Sequence, residues 1–167
     1  MRTSATISED GTYRYVLRRA WGPEPLQRVL GFVMLNPSTA DAIEDDPTIR
    51  RCMSFAKRDG YDGIVVVNLF DFRATNPKAL CYAERDLSSR KNDPHIGAAF
   101  KECDEVVFAW GVAQVPGVGH RISAVVRLAK EAGHVPLCLG INLSGAPKHP
   151  LYLPRNARMV AWSLSTA

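Results

Sequence analysis

The sequence predicts an α/β protein in which one domain, residues 1–167, is built around a largely parallel sheet. Apolar segments of strand length alternate along the chain with segments whose apolar residues recur at helical spacing. Neither an internal repeat nor a biased linker divides the chain. Its 167 residues are 46% hydrophobic and 23% charged, a composition that excludes disorder and suits a single core.

The predicted strands are apolar runs that end at turn-forming residues. Residues 13–19 follow an Asp-Gly turn and are predicted to form an edge strand. The run from Val29 to Leu35 ends at Asn36-Pro37 and is typical of a buried strand. Residues 64–70 are too apolar to have a wet face. Later strands are expected at residues 105–110, 136–141 and 158–162.

The predicted helices each carry one apolar stripe. The first begins with Asp46 as N-cap and Pro47 at the first helical position, and it ends at Gly60. Its core-facing residues follow the spacing i, i+3, i+4, i+7 and are Ile49, Cys52, Met53 and Ala56. Further helices are expected near residues 78–85, 94–101 and 121–132.

Several classes of protein are excluded or disfavoured. The first ten residues lack an apolar signal segment, and the longest apolar run is far short of the roughly 20 residues that a membrane span needs. A cytoplasmic protein without membrane association is therefore expected. The four cysteines are scattered, without a Cys-x-x-Cys pair, which disfavours a disulfide framework and a zinc site. We expect buried, reduced thiols and neither a metal nor a cofactor.

The net charge of +4 is distributed unevenly along the chain. Residues 1–120 hold 15 basic and 16 acidic side chains, whereas residues 121–167 hold six basic side chains and only Glu131 as an acid. A basic segment is typical of a phosphate-bearing partner. The alternative is a solvated helix face, and Arg121, Arg127 and Lys130 fit that interpretation.

Three polar residues near predicted strand ends are candidates for chemistry, because ligands of such sheets bind outside the carboxyl ends of strands. Asn36 either orients a water or substrate carbonyl or belongs to an Asn-Pro turn. Asn68 interrupts an apolar run, where an unpaired amide costs about 1–3 kcal/mol. It is either bonded to a neighbouring segment or reads the edge of a base. His149, between Pro147 and Pro150, either stabilises developing negative charge or is a surface residue.

Two further motifs are ambiguous. The acidic cluster Asp41, Glu44, Asp45 and Asp46 has ligands suited to Mg²⁺, but capping of the helix start is the favoured interpretation. The segment Gly117-Val118-Gly119 precedes a helix and has the flexibility to bind phosphate. It lacks the further residues of a dinucleotide fingerprint or a P-loop.

The order of these motifs resembles the uracil-DNA glycosylase superfamily. Met34-Leu35-Asn36-Pro37-Ser38 is similar to its Gly-Met/Ile-Asn-Pro-Gly motif, with Met34 and Ser38 in place of the glycines. Val66-Val67-Asn68-Leu69 is similar to the strand that carries the base-reading Asn, and His149-Pro150-Leu151 to the His-Pro-Ser motif. Over nearly the whole chain, the sequence also resembles a family of small bacterial and phage proteins of unknown function. That likeness lies in residues 34–48, 68–77 and 148–153.

The superfamily resemblance implies a three-layer α/β/α sandwich and hydrolysis of an N-glycosidic bond without a metal. Asn36 would position the attacking water, Asn68 would read a base edge, and His149 would stabilise the departing base anion. The resemblance places further substrate contacts at Pro37, Ser38, Trp110, Leu151 and Tyr152. It places phosphate contacts at Lys148, Arg155 and Arg158. The partner would be nucleic acid or a phosphate-bearing nucleotide. The alternative is a non-catalytic module that binds nucleic acid or a nucleotide on the same scaffold.

Overall fold

The computed structural model describes residues 1–38, 40–83 and 86–164. Within these residues, one seven-stranded sheet has the order β1-β2-β4-β3-β5-β6-β7. Its strands are β1 (Arg2–Ile7), β2 (Arg14–Ala20), β3 (Val29–Met34), β4 (Gly63–Asn68), β5 (Glu105–Phe108), β6 (Leu137–Cys138) and β7 (Val160–Ala161). The α-helices are α1 (Pro47–Arg58), α2 (Asn92–Lys101) and α3 (Val118–Glu131). Two short 3-10 helices span Pro77–Tyr82 and Pro150–Tyr152.

The sheet is mixed, and the expectation of a largely parallel sheet is therefore wrong. Strand β3 pairs in parallel with β4 and β5, and β5 pairs in parallel with β6. The pairs β1–β2, β2–β4 and β6–β7 are antiparallel. The strand predicted at residues 13–19 is present as β2, but its predicted position at the edge of the sheet is wrong, because β1 pairs with it. Strand β1 begins with three exposed residues and has no clear apolar alternation, so the sequence did not predict it.

Two hydrophobic clusters share the side chains of the strands. Because successive residues of a strand point to opposite faces, Ile64 and Val66 join one cluster while Val65 and Val67 join the other. The first cluster takes from α1 the apolar stripe Ile49, Cys52, Met53, Phe55 and Ala56. The second takes from α2 and α3 the residues Ile96, Ala99, Phe100, Val125, Val126 and Ala129. The predicted helix faces are thus the buried ones.

Helix α1 begins as its sequence predicts. The side chain of Asp46 accepts a hydrogen bond of 2.8 Å from the backbone N–H of Ile49, and Pro47 occupies the first turn. Gly60 follows the helix with a φ of +78°, a conformation that residues with a Cβ rarely adopt. Local interactions therefore fix both ends of the helix, and its first turn lies at the cavity that also includes the last residues of β3 and β4.

The cysteines are free thiols, and Cys52, Cys103 and Cys138 are buried, whereas Cys81 is exposed. Burial raises the pKa of Cys103 to about 12 and raises the pKa of Cys52 further, so both thiols stay protonated. In the part of the chain that the structure describes, no group of three or more His, Cys, Asp or Glu residues could hold a metal. Among the same residues, every helix is too short or too polar to cross a membrane.

Candidate functional site

A cavity of about 370 Å³ lies at the carboxyl ends of the central strands. Met34 and Asn68 are the last residues of β3 and β4, pair with each other in parallel register, and line this cavity. Trp110 and Gly111, just beyond β5, line it as well. Parallel strands end at the same edge of a sheet, so the register of three strands collects these side chains in one place. The volume lies within the range of small-ligand sites.

The cavity brings together most of the residues that the sequence singled out. Those that line it are Asn36, Ser38, Asn68, Trp110, His149, Leu151 and Tyr152. Pro37, Lys148, Arg155 and Arg158 are not among its lining residues. Pro37 is buried, whereas Lys148, Arg155 and Arg158 are exposed on the loop that follows β6. The roles of all these residues stay predictions.

Asn36 is fixed by the loop that follows β4. Its amide nitrogen donates to the backbone oxygen of Ala74 at 2.8 Å and to that of Pro37 at 3.0 Å. Pro37 in turn accepts from the backbone N–H of Ala74 at 2.9 Å. The turn interpretation and the ligand interpretation are thus compatible, because the nitrogen orients the side chain and no hydrogen bond engages the side-chain oxygen among the described residues.

Asn68 is the buried amide of the cavity. Only 1% of the residue is exposed, and its side-chain nitrogen has no hydrogen-bond partner among the described residues. Among the described residues, therefore, no neighbouring segment pairs with this nitrogen, and the binding role of Asn68 stays a prediction. Asp71, three residues later, does have partners: its carboxylate accepts from both the backbone N–H and the hydroxyl of Ser89. Burial raises the pKa of Asp71. Its carboxylate is bonded to Ser89 in the loop and does not line the cavity.

His149 lines the cavity as a half-buried imidazole just before the 3-10 helix Pro150–Tyr152. Its Nδ1 accepts a 3.3 Å hydrogen bond from the backbone N–H of Leu151. Burial lowers the pKa of His149, and the carboxylate of Asp46 opposes part of that effect. A neutral imidazole whose Nδ1 is an acceptor carries its proton on Nε2. His149 can therefore donate a hydrogen bond near pH 7 without becoming charged.

Helix α1 holds the His149 loop through two arginines. Arg51 donates to the backbone oxygens of Pro150 and Leu153. Arg58 donates to the backbone oxygens of Arg155 and Ala157, at 2.7 and 2.6 Å. Both arginines lie outside the apolar stripe of α1. Their contacts explain how a loop about 100 residues away in the chain is held next to the cavity.

The acidic cluster before α1 is used for local structure. Asp41 accepts from the backbone N–H groups of Ile43 and Glu44, which lowers its pKa. Asp45 pairs with Arg19 at 2.7 Å. Asp46 caps α1 with one oxygen and accepts the hydroxyl of Ser38 with the other, and both Asp46 and Ser38 line the cavity. These contacts agree with capping as the role of the cluster.

Arg14 is a cavity residue that the sequence did not single out. It lies on β2, is 2% exposed, and donates from a terminal nitrogen to the backbone oxygen of Ala40. Its Nε has no hydrogen-bond partner among the described residues. Burial lowers the pKa of Arg14 to about 10, with partial opposition from Asp46, so the guanidinium remains charged near neutral pH. The signal that could have identified Arg14 from the sequence is its place as a charged residue inside a predicted strand.

The cavity is polar and closed at depth but open at its rim. Arg14 and Asn68 are at most 2% exposed, whereas Val112 is 63% and Tyr152 is 87% exposed. The apolar lining is buried as well and comprises Met34, Ile49, Val66 and Trp110. A flat apolar ligand with a polar edge suits this combination of buried apolar side chains and buried donors.

Comparison with known proteins places the chain in a family. Residues 14–151 match the family described as Protein of unknown function (DUF1643), and the chain belongs to that family. Neither the curated proteins nor the solved structures contain a significant match to the chain. The matched range includes Arg14, Asn36, Asn68 and His149, all of which line the cavity.

Proposed function

We propose that this member of the DUF1643 family is a glycosylase-like hydrolase, which cleaves the N-glycosidic bond of a base in nucleic acid or in a nucleotide. One observation carries the proposal: Asn36, Asn68 and His149 come from three distant segments of the chain and line the same cavity. Their side chains supply an amide oxygen, an amide nitrogen without a partner among the described residues, and a neutral imidazole donor. Hydrolysis of a glycosidic bond to a base needs these three kinds of contact.

The reaction assigns one task to each residue. The side-chain oxygen of Asn36 holds a water for attack on C1′ of the sugar. As the C1′–N bond breaks, its electron pair leaves with the base, and the Nε2–H of His149 stabilises the resulting negative charge. The base anion takes up the proton that the water loses, so the products are a free base and a sugar hydroxyl. Asn68 fixes the base edge throughout.

The fold of this proposal is the three-layer α/β/α sandwich of the uracil-DNA glycosylase superfamily. Support comes from α1 in one hydrophobic cluster and α2 and α3 in the other, with strand residues shared between them. The central parallel strands β4, β3, β5 and β6 are consistent with it. Support for a nucleic-acid partner comes from exposed side chains on the loop that carries His149, namely Lys148, Tyr152, Arg155 and Arg158.

A binding module without catalysis is the second candidate. Asn36 favours it, because its amide nitrogen is already committed to two backbone oxygens and gives the residue a structural role. Ser38 also occupies a motif position where the glycosylases have glycine, and its hydroxyl is committed to Asp46. On this proposal the cavity recognises a base or nucleotide, and no bond is cleaved.

Base release from defined substrates tests the hydrolase. Single- and double-stranded DNA and RNA carrying uracil, hypoxanthine or modified bases, together with free nucleotides, are incubated with the protein, and released base is measured. We expect release from at least one substrate, loss of turnover in Asn36→Ala and His149→Ala, and nucleic-acid affinity within severalfold of the wild type. The matched controls are Asn156→Ala and His120→Ala, whose exposed side chains lie outside the cavity.

The outcomes separate the two candidates. Absence of base release across the whole panel contradicts the hydrolase. If affinity for nucleic acid then falls steeply with added salt, the binding module is supported, because the interaction depends on phosphate contacts. Absence of nucleic-acid and nucleotide binding contradicts both candidates.

A further inference from the structure

We infer that Arg14 is a binding residue of the cavity, and that it selects a heterocyclic base with oxygen rather than an amino group at the edge facing β2. This inference rests on the proposed function for the class of occupant, a base. The selection itself follows from the hydrogen-bonding groups at the buried end of the cavity.

The unpaired groups at depth are donors. Among the described residues, neither Nε of Arg14 nor the side-chain nitrogen of Asn68 has an acceptor, and both residues line the cavity. An unsatisfied buried donor is destabilising, and more so when the group is charged. An occupant that supplies acceptors to both donors removes this cost, whereas an occupant that presents N–H groups does not.

Arg14 determines the selection because it cannot change roles. An asparagine amide can turn over and offer its oxygen, so Asn68 alone accommodates either an oxo or an amino group. A guanidinium has only donors. Arg14 is also held in place, since a terminal nitrogen donates to the backbone oxygen of Ala40. Its Nε–H, which has no acceptor among the described residues, therefore requires an acceptor from the occupant.

The surroundings of Arg14 favour an oxo base over a phosphate. The carboxylate of Asp46 lines the same cavity and acts electrostatically on Arg14, as do the guanidinium groups of Arg73 and Arg19 in the opposite direction. A doubly charged phosphate would meet that carboxylate and the apolar side chains of Met34, Ile49 and Val66. A planar base places its faces against those side chains and only its oxygen atoms at the donors.

Binding of free bases tests the inference apart from catalysis. The full-length protein is titrated by calorimetry with two pairs that differ by an oxo-to-amino exchange, namely uracil with cytosine and hypoxanthine with adenine. One lost hydrogen bond to a charged donor corresponds to about tenfold or more in affinity. We expect the oxo member of at least one pair to bind at least about tenfold more tightly, and Arg14→Met to reduce this preference below about threefold.

Two further variants control for loss of fold. Arg14→Lys keeps the positive charge but not the directed N–H group, and we expect an intermediate preference. Arg19→Lys alters another buried arginine of β2, one that does not line the cavity, and should keep the wild-type preference. Circular dichroism establishes that each variant is folded before titration.

Failure of this inference is distinguishable from failure of the proposed function. Equal binding within both pairs, an undiminished preference in Arg14→Met, or no binding of any free base overturns the inference. Base release by the wild type, measured separately, decides the hydrolase. Selective binding of free bases without base release supports the role of Arg14 and contradicts the hydrolase. Base release without a preference that depends on Arg14 supports the hydrolase and contradicts the inference about Arg14.

Discussion

The two ends of strand β2 each bury an arginine, and the two residues differ in how far they are satisfied. At one end, Arg19 donates from all three of its nitrogens, to the carboxylate of Asp45 and to the backbone oxygens of Arg18, Asp41 and Glu44. At the other end, Nε of Arg14 lacks a partner among the described residues. Both side chains are at most 2% exposed. Burial alone therefore does not separate an arginine whose three nitrogens are all hydrogen-bonded from one whose Nε lacks a partner, and the difference lies in their hydrogen bonds.

The largest expected effect follows from removing the satisfied arginine. Arg19→Met leaves Asp45 without its partner and removes the hydrogen bonds to the backbone oxygens of Asp41 and Glu44 before α1. We therefore expect a loss of about 3–5 kcal/mol in the free energy of unfolding. Arg14→Met forfeits the bond to Ala40, and we expect it to cost at least about 1 kcal/mol less than Arg19→Met. Urea denaturation of both variants measures the difference. Equal losses would break the comparison between the two ends.

A smaller effect is expected from the buried amides. Asn68→Leu replaces an unpaired donor by an apolar group of similar size, so the free energy of unfolding should stay within about 1 kcal/mol of the wild type or rise. Asn92→Leu is the matched variant, because the nitrogen of Asn92 donates at 3.3 Å to the backbone oxygens of Asn68 and Leu69, although its buried side-chain oxygen has no partner among the described residues. It should lose about 1–3 kcal/mol. Denaturation curves that rank the two variants in the opposite order would show that Asn68 is a structural residue.

The smallest expected effect concerns pH. Burial lowers the pKa of His149 below its ordinary value of about 6.5, so below that pH the unfolded chain binds a proton more readily than the folded one. Stability contributed by the neutral imidazole is therefore present above about pH 6.5 and declines as the pH falls through the folded pKa. Urea denaturation between about pH 7.5 and pH 5 should show a smaller decline for His149→Gln. The pKa of His95 is also lowered, but this contribution is common to both proteins and cancels in the comparison.

The sequence predicted the elements and candidates whose causes are local. The start of α1 followed from Asp46-Pro47, and the apolar face of that helix followed from its spacing. Asn68 was identifiable because an amide in a run of valines needs a partner or a ligand. The mixed sheet was not predicted, since strand direction depends on pairings between distant segments, and β1 lacks a strong apolar pattern. Arg14 was missed because only the fold shows that β2 lies beside β4, where its arginine reaches the cavity.

Arg51 and Arg58 of α1 hold the His149 loop through its main-chain oxygens. Every amino acid carries that oxygen, so these bonds do not depend on which side chains stand at positions 150, 153, 155 and 157. Packing adds to them, since Leu153 and Ala157 lie against the hydrophobic cluster that contains α1. Exchange of Leu151 or Tyr152, which line the cavity, therefore leaves the bonds between α1 and the loop in place, so one wall of the cavity can change while its attachment to the helix remains.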